Sequence, residues 1–381
     1  MRQIGGRKRC RGRGLVLLLV MALVLTGCRF RFPGSTDPLV KIGLVAPFEG
    51  RLGARGYEVL FAVRLAVRQW NKAGGAGGYR VELVALDDGR DPSAVAQQVR
   101  ELAVDRDVLG VVGHFTEETT LAAAPEYAVQ GLALVAPGVG AEGITAAGGV
   151  VRLGPSNRLL GCEAARYAVE TLAAKRLAVL RGQDDLADAF VTTVRQLGGT
   201  IVLDESIAEG GWVSRLADVV PDMVFLSSGA MEGGEVICLA WQAGVEATFL
   251  GGPALGDRLL VQVGGAAVGD TVYLAAAPAG VDVADGEAFV VDYQALAGYP
   301  PGPRATLAYE ATNLLLEAIA RAAALSPRRP SRAMVWHQLL AGRQHEGLLG
   351  TWSFGSDGEL ASWPIAIYRI EAGSYPGRRL R

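Results

Sequence analysis

The chain has 381 residues, of which 50% are hydrophobic and 20% are charged, and its formal net charge is −2. This composition excludes disorder as the main state, and the length predicts about two domains at roughly 150 residues each. Residues 1–27 contain basic side chains and no acidic one, so the remainder of the chain is more acidic than the whole. An acidic chain argues against nucleic acid as a partner.

The first residues have the pattern of an export signal. After a basic segment, an uninterrupted apolar run extends from Leu15 to Leu25, too short for a membrane span, which takes about 20 residues. Thr26-Gly27-Cys28 then resembles the end of a bacterial lipoprotein signal, where a cysteine receives lipid. We predict a lipoprotein signal peptide over 1–27, lipid on Cys28 and a tether over 28–38. The protein would be extracytoplasmic and lipid-anchored to the cell membrane; an uncleaved anchor is the alternative.

Strands and helices alternate along the rest of the chain, which predicts parallel sheets covered on both faces by helices. Leu39 to Val45 is an apolar, β-branched segment typical of a buried strand, and Tyr57 to Lys72 has the spacing of an amphipathic helix. The same rhythm restarts after Leu153, so we expect two similar α/β lobes. Further strands are predicted at 81–86, 108–113, 133–136, 176–180, 200–206, 223–226, 248–251 and 271–275. Further helices are predicted from Asp91 and at 119–130, 159–173, 186–197, 212–219, 235–243, 286–296, 306–324 and 332–340.

The end of the chain and the cysteines allow two smaller predictions. Gly350–Phe354 and Pro364–Ile370 are expected to form a hairpin around Ser356-Asp357-Gly358. Cys162 and Cys238 are interpreted as small buried residues on helices, with a disulfide between them as the alternative in an oxidising compartment.

No motif predicts catalysis or a cofactor. The glycines after the first strand form GxxGxxG, which is not the dinucleotide fingerprint GxGxxG and is interpreted as a flexible turn. The chain contains no GxSxG, HExxH or P-loop motif, and its three histidines have no metal-ligand spacing with a cysteine pair. We therefore predict that the protein is not an enzyme and uses no cofactor or metal.

Acidic pairs follow three of the predicted strands, at Asp87-Asp88, Glu117-Glu118 and Asp184-Asp185. One interpretation is that they complement the dipoles of the helices that begin there. The other is a binding site, because ligands of open α/β sheets bind beyond the carboxyl ends of the strands.

Seven short motifs follow one another along the chain. They are KIGLVAPFEG (41–50), NKAGG (71–75), DD with DP (87–92), GHF (113–115), LVAP (134–137), GP with AYEA (302–311), and Gly350 with Phe354 and DG (357–358). In this order they resemble the branched-chain amino-acid (leucine/isoleucine/valine) binding proteins of ABC transport. The resemblance runs from about Leu39 to about Ile370 and implies a type I periplasmic binding fold, with two doubly wound parallel-sheet lobes joined by a three-strand hinge. It implies an N-terminal lobe of 39–154 with 278–345 and a C-terminal lobe of 155–277 with 346–381.

The resemblance also implies which residues face the solute. In the family, a Ser/Thr-rich stretch binds the amino-acid carboxylate, and its key serine corresponds to Glu117, whose charge would repel a carboxylate by about 1 to 4 kcal/mol at about 4 Å. An expected threonine corresponds to Gly140, and the expected acids correspond to Asn157 and Pro253. The implied ligand residues are Arg55, Phe115, Thr116, Glu117, Gly138, Gly140, Asn157, Leu186, Gly229 and Pro253, of which Leu186 and Gly229 replace aromatic walls. The family's first-lobe disulfide corresponds to Arg90 and Thr116, so that bridge is absent.

These replacements predict that free leucine, isoleucine or valine is not the natural solute. Glu117 is expected to select a solute that carries a cationic, amide or hydroxyl group. Two alternatives stay open: a cleft with no tight small ligand, and amino-acid binding through Thr116, Thr119 or Thr120 if the alignment shifts.

The predicted function is a monomeric solute-binding lipoprotein of an ABC importer, which closes its lobes around a small polar solute and docks on a membrane permease. A sensory or regulatory lipoprotein with the same fold is the alternative. An extracellular hydrolase is a third class, which lacks any catalytic triad or metal set in this sequence.

Overall fold

The computed structural model describes residues 38–182, 185–341, 344–360, 363–371 and 373–381. The predicted signal peptide, the lipid site Cys28, nearly all of the tether, and Asp184 lie outside the described residues. Leu39–Arg381 forms one unit. In the part of the chain that is described, no helix combines the length and the hydrophobicity needed to cross a bilayer.

Strands and helices alternate as the sequence predicts. The strands are β1 (Leu39–Ala46), β2 (Arg80–Asp87), β3 (Val108–Gly113), β4 (Ala133–Pro137), β5 (Val150–Leu153), β6 (Arg176–Arg181), β7 (Thr200–Ser206), β8 (Met223–Ser227), β9 (Thr248–Gly251), β10 (Val272–Ala275), β11 (His345–Gly347), β12 (Gly350–Trp352), β13 (Ala366–Glu371) and β14 (Ser374–Arg379). The α-helices are α1 (Gly53–Lys72), α2 (Val95–Val104), α3 (Glu117–Gln130), α4 (Asn157–Arg166), α5 (Leu186–Gln196), α6 (Trp212–Val219), α7 (Ala230–Gln242), α8 (Arg258–Gly264), α9 (Glu287–Ala297), α10 (Pro303–Ala324) and α11 (Arg332–Leu339).

The first sheet is parallel and has the strand order β2-β1-β3-β4-β5. Strand β1 lies between β2 and β3 and is buried on both faces, which confirms the interpretation of its apolar sequence. Val45 lies beside Leu86 of β2 and Gly113 of β3, so these strands end level with one another. The turns that follow β1 and β3 therefore meet at one edge of the sheet.

Helices cover both faces of this sheet. Residues of α1, α9, α10 and α11 share a hydrophobic core with one face, and residues of α2 and α3 pack on the other. Helix α10 comes close to β3 at Gly110, where a Cβ would lie 2.6 Å from Cδ1 of Leu315. A late segment of the chain thus completes the core that the first strands begin.

The second sheet has the order β14-β13-β10-β9-β8-β6-β7 and is parallel from β10 to β7. Strands β13 and β14 extend it as an antiparallel edge. A hydrophobic core lies on each face, and one of them holds the stacked rings of Phe190 and Phe225, with centroids 3.9 Å apart. The two sheets are the basis of the two lobes that the resemblance implies.

The predicted C-terminal hairpin is wrong. Strand β12 pairs with β11, and β13 pairs with β10 and β14, so the two predicted arms belong to different sheets. The turn around Asp357-Gly358 forms a single bridge between Phe354 and Leu360. A turn signal is local, whereas the second sheet gives β13 a pairing partner on each side, β10 and β14.

Three other predictions about this part of the fold are wrong or only partly right. The helix predicted over 159–173 ends as an α-helix at Arg166 and continues as a π-helical turn to Thr171. Cys162 and Cys238 are free and half-buried on separate helices, so the disulfide alternative is wrong and their predicted burial is only partial.

The division into lobes at 154, 277 and 345 stays a prediction. Trp352 and Phe354 follow the predicted lobe boundary between residues 345 and 346, yet both are buried in the core of the first sheet and its helices. Trp363 donates its indole N–H to the carbonyl of Ala276, next to the predicted boundary between residues 277 and 278. This packing favours a last lobe boundary later than residue 346.

Candidate ligand-binding cleft

A cavity of about 500 Å³ lies between the carboxyl ends of the two sheets. Binding sites for small organic molecules typically enclose about 300 to 1,000 Å³. The structure brings these predicted residues to its lining: Arg55, Phe115, Thr116, Glu117, Gly138, Asn157, Leu186, Gly229 and Pro253. The predicted site residues therefore share one cavity, with a single exception.

The exception is Gly140, which does not line the cavity. Its carbonyl oxygen accepts a hydrogen bond of 2.8 Å from the backbone N–H of Asn157, and a Cβ at this position would overlap the Asn157 side chain. Gly140 thus lies behind Asn157 and supports it. A direct contact of residue 140 with a solute stays a prediction, and Gly140 is not among the residues that line the cavity.

The glycine-rich turn after β1 places Arg55 in the cavity wall. A Cβ on Gly53 would lie 2.7 Å from the carbonyl oxygen of Phe48, and a Cβ on Gly56 would overlap the carbonyl of Pro47. Helix α1 can therefore begin directly against the end of β1 only because these positions lack side chains. The GxxGxxG spacing, interpreted from the sequence as a flexible turn, thus serves close packing, which positions the guanidinium of Arg55.

Arg55 and Arg304 both bind the carboxylate of Asp257, which lies on the other side of the cleft. Nε of Arg55 lies 2.5 Å and Nη1 of Arg304 lies 2.8 Å from Oδ2 of Asp257. Arg304 also donates to the carbonyl oxygen of Pro253 at 3.3 Å, and Oδ1 of Asp257 caps α8 through the N–H of Leu259 at 2.9 Å. These ion pairs link the helices of the first sheet to the second.

The charges of this cluster perturb one another. Burial alone would raise the pKa of Asp257, but the charges of Arg304 and Arg55 hold it below its usual range. Burial, together with the neighbouring Arg304, lowers the pKa of Arg55 to about 10. Burial also raises the pKa of Glu58, a buried carboxyl behind the pair. The cluster is therefore a desolvated one in which two guanidiniums share one ionised carboxylate.

A second polar cluster surrounds Asn157. Its Nδ2 donates to Oε1 of Glu117 at 2.8 Å and to Oδ1 of Asp185 at 2.5 Å. Glu117 begins α3 after β3, and Asp185 precedes α5 after β6. The amide of one buried side chain thus connects acidic residues that follow strands of different sheets.

One acidic pair fits the binding-site interpretation, and another has a structural role. Glu117 and Glu118 line the cavity, as the binding-site interpretation requires. Asp87 accepts hydrogen bonds from the N–H groups of Phe48 and Gly89, and the buried Asp88 contacts Nδ1 of His114 at 3.2 Å. That pair therefore shapes the turn after β2 and belongs to the packing.

The threonines after β3 are mostly engaged in the turn itself. Thr119 and Thr120 are fully buried, and the hydroxyl of Thr120 donates to the carbonyl of Thr116 at 2.6 Å. Of these three threonines, Thr116 lines the cavity. Binding of an amino-acid carboxylate through Thr119 or Thr120 finds no support in this geometry.

Sequence reasoning missed Arg304 and Tyr273, which line the cavity, and Asp257, which pairs with Arg55 and Arg304. Arg304 follows the Gly302-Pro303 motif and Asp257 follows β9, so both stand after segments whose pattern is visible in the sequence. In the described part of the chain, no cluster of His, Cys, Asp and Glu residues is arranged to hold a metal ion.

The chain matches a known family over most of its length. A family model described as "Periplasmic binding protein" covers residues 39–374. The chain belongs to this family. Periplasmic binding proteins are extracytoplasmic, and solute-binding proteins of ABC transporters bind small molecules and interact with a membrane permease.

Curated relatives confirm the resemblance to branched-chain amino-acid binding proteins. A Leu/Ile/Val-binding protein of Rhizobium johnstonii is 27% identical over 345 residues, which cover 88% of this chain and 92% of that protein. A leucine-, isoleucine-, valine-, threonine- and alanine-binding protein of Pseudomonas aeruginosa is 26% identical, with 86% of this chain and 89% of that protein covered. These relatives are solute-binding proteins, so the prediction that this periplasmic binding protein is not an enzyme is confirmed.

Solved structures show the same fold. The branched-chain amino-acid binding protein LivJ of Streptococcus pneumoniae, in complex with isoleucine, superposes with a TM-score of 0.79 at 24% identity, covering 88% of this chain and 97% of that one. A solute-binding protein of R. palustris in complex with benzoate gives 0.76 at 19% identity, covering 90% of this chain and 95% of that one. At these identities the likeness concerns the fold and leaves the solute open.

Proposed function

We propose that this periplasmic binding protein is the solute-capturing lipoprotein of an ABC importer, held at the membrane by lipid on Cys28. The two lobes close around a small polar solute, and the closed form docks as a monomer on the permease. The observation that carries the proposal is the cavity itself, whose lining comes from strand ends of both sheets.

The solute differs from free leucine, isoleucine or valine. Glu117 lines the cavity where the family resemblance expects a carboxylate-binding serine, and its partner Asn157 brings Asp185 beside it. Two carboxylates close together disfavour a third one from the solute. A group on the solute that is cationic or that donates hydrogen bonds, such as an ammonium, an amide or a hydroxyl, suits this side of the cavity.

A thermal-shift screen tests the proposal. The full chain in detergent micelles is heated with amino acids, amides, polyamines, sugars and nucleosides, one at a time. A solute at about 100 times its dissociation constant adds about 2.7 kcal/mol of stability and raises the unfolding midpoint by a few degrees. A hit in any class supports solute capture.

Two outcomes would contradict parts of the proposal. A hit confined to leucine, isoleucine and valine would show that Glu117 does not exclude an amino-acid carboxylate. Silence across the whole panel would contradict solute capture and favour the sensory or regulatory alternative.

The lipid anchor has its own test. Cells that express the full chain are grown with a radiolabelled fatty acid, and the Cys28→Ala variant serves as the control. Label in the wild-type protein alone supports lipid on Cys28, whereas equal label in both would contradict it.

A further inference from the structure

Arg55 has a hydrogen-bonding edge that its bond to Asp257 does not use. Its Nε donates to Oδ2 of Asp257 at 2.5 Å, whereas its Nη1 and Nη2 donate to no acceptor among the described residues. Neither nitrogen is one of the enclosed polar atoms that lack a partner, so both are open to the space around Arg55, which lines the cavity. The two Nη atoms of a guanidinium form a planar fork that fits the two oxygens of a carboxylate.

Asp257 holds this edge in position. Its Oδ2 accepts from both Arg55 and Arg304, and its Oδ1 accepts from the N–H of Leu259 at 2.9 Å. Both oxygens are therefore engaged, and the carboxylate is fixed at the start of α8. The side chains of Arg55 and Asp257 are 13% and 6% exposed, so the pair has little freedom to move. A donor that is held in place before binding loses less conformational entropy when a ligand arrives.

The cluster is short of negative charge at Arg55. Burial and the charge of Arg304 lower the pKa of Arg55 to about 10, although Asp257 works in the opposite direction. Glu58 also acts on Arg304, but burial raises the pKa of Glu58 and thus disfavours its ionised form. An anionic group on the solute would therefore stabilise the charge of Arg55.

The charges of the whole lining favour one negative charge on the solute over several. Three arginines and three glutamates line the cavity: Arg55, Arg90, Arg304, Glu117, Glu118 and Glu232. The lining as a whole is therefore close to neutral, and the excess of positive charge is local to the cluster around Asp257. A dianion such as a phosphate monoester would be repelled by the glutamates more than a single carboxylate would.

Apolar side chains accompany both arginines in the cavity wall. Leu52 lies three residues before Arg55 and lines the cavity. Leu307 lies three residues after Arg304 and lines it as well. Residues three apart share one face of a helix, so each guanidinium has an apolar neighbour. A carbon chain attached to a carboxylate on Arg55 would bury apolar surface here.

The ring of Tyr273 adds to this apolar wall. Tyr273 lines the cavity and packs against Gly256, the neighbour of Asp257, where a Cβ would lie 2.2 Å from Cε2 of the ring. Its hydroxyl donates to the carbonyl of Pro376 at 2.8 Å. Because the hydroxyl is engaged there, Tyr273 offers its ring to the solute.

These surroundings distinguish a simple carboxylate from an α-amino acid. In an α-amino acid the nitrogen and the carboxyl carbon are joined through a single carbon and lie about 2.5 Å apart by standard bond lengths. With the carboxylate on Arg55, the ammonium would lie close to a second positive charge and beside apolar side chains. A carboxylate whose neighbouring carbon is uncharged avoids both costs.

We propose that the solute is an organic monocarboxylate with an apolar carbon body, whose carboxylate accepts hydrogen bonds from Nη1 and Nη2 of Arg55 and whose neighbouring carbon carries no ammonium. This inference rests on the proposed solute-capture function and names the solute class for the same cavity. The hydrogen-bond donor proposed for the Glu117 side belongs to another part of the same molecule.

Two matched triplets of probes test the inference by isothermal titration calorimetry on the full chain in detergent. The first is 4-methylpentanoate, its primary amide and leucine. The second is 3-(4-hydroxyphenyl)propanoate, its primary amide and tyrosine. Each triplet keeps the carbon body and changes only the carboxylate or the neighbouring ammonium. We expect the acid to bind at least about tenfold more tightly than its amide and its α-amino acid in at least one triplet, because a lost charge-assisted hydrogen bond weakens binding by about ten- to a hundredfold.

Variants of Arg55 test the residue. Arg55→Gln should abolish the preference for the acid over the amide. Arg55→Lys keeps a positive charge beside Asp257 but loses the planar fork, so it should weaken the acid at least about tenfold while the protein still unfolds cooperatively. Arg64→Gln, an exposed change on the same helix, is the matched control and should leave every probe unchanged.

The possible failures are distinguishable. An amide or an α-amino acid that binds as tightly as its acid, in every triplet that binds, would overturn the monocarboxylate while leaving solute capture intact. The same holds if no acid binds but the thermal-shift panel finds a sugar or a nucleoside. Unchanged binding of the acid to both Arg55 variants would overturn the role of Arg55. Silence in both experiments would overturn solute capture itself.

Discussion

At the scale of single residues, Asp257 joins the two sides of the cleft. Its side chain and those of Arg55 and Arg304 are largely shielded from water. Removing one member of such a buried set leaves charges that are neither hydrated nor paired. The stability of the protein should therefore depend strongly on this one carboxylate.

We expect Asp257→Asn to lower the free energy of unfolding by about 3 kcal/mol near neutral pH. Urea unfolding measures it, and Asp188→Asn, at an exposed ion pair with Arg181, is the matched control with an expected loss under about 1 kcal/mol. Equal losses in both variants would contradict a special role for Asp257.

The effect of Asp257→Asn on the free energy of unfolding should depend on pH. Since the pKa of Asp257 is lowered in the folded protein, its carboxylate stabilises the fold at pH values above about 4. That stabilisation is lost as the pH falls through the folded pKa. The stability difference between wild type and Asp257→Asn should thus shrink in acid, and a difference that grows below about pH 4 would contradict the assignment.

At the scale of elements, the turn from β1 into α1 depends on glycine. A Cβ on Gly56 would overlap the carbonyl of Pro47, whereas a Cβ on Gly229 would meet nothing within 4 Å at an ordinary φ of −71°. Gly56→Ala should cost about 1 to 3 kcal/mol of stability, and Gly229→Ala, at the N-cap of α7, should cost less than about 1 kcal/mol. Thermal unfolding compares them, and a tolerated Gly56→Ala would show that α1 can shift away from β1.

The short hairpin of β11 and β12 is attached to α10 by a buried histidine. Nδ1 of His345 lies 2.9 Å from Glu317, and its Nε2 lies 3.5 Å from Glu310. Burial works against the charge of His345, but the two glutamates raise its pKa to about 9. The protonated imidazole thus holds the hairpin on the first-lobe core.

The raised pKa predicts a loss of stability in base. The contribution of His345 is fully present below about pH 6.5 and disappears as the pH rises through about 9, and it amounts to about 3 kcal/mol. Urea unfolding of wild type and His345→Gln from about pH 6 to about pH 10 measures it. A stability difference that does not change with pH would contradict a charged His345.

At the scale of the whole molecule, polar contacts connect the two sides of the cleft. Asn157 connects Glu117, after a strand of the first sheet, with Asp185, after a strand of the second. Without the amide, the two carboxylates would repel each other across the cleft. The equilibrium between open and closed lobes therefore depends on this side chain.

We expect Asn157→Ala to shift the ligand-free protein toward the open form. Small-angle X-ray scattering should show a larger radius of gyration for this variant than for wild type, and the exposed change Arg64→Gln should show none. An unchanged radius for Asn157→Ala would mean that the Arg55–Asp257 pair alone maintains closure.

The alternation of strands and helices, the two sheets and nine residues of the cavity lining follow from sequence patterns and the family motifs. Apolar periodicity is local, and the carboxyl ends of parallel strands place their turns at one edge. The family motifs then assign Arg55, Glu117 and Asn157 to the cleft. Pairings between distant segments were beyond this reasoning, as the failed hairpin at Asp357-Gly358 shows.

The arrangement of charges in the cleft depends on contacts that form in the folded chain. Arg55 and Asp257 are 202 residues apart in the chain and follow strands of different sheets, so no local pattern could bring them together. Arg304 reaches the same carboxylate because α10 returns to the first sheet. Burial and pairing then set the pKa of each group, since both depend on neighbours that only the folded chain provides.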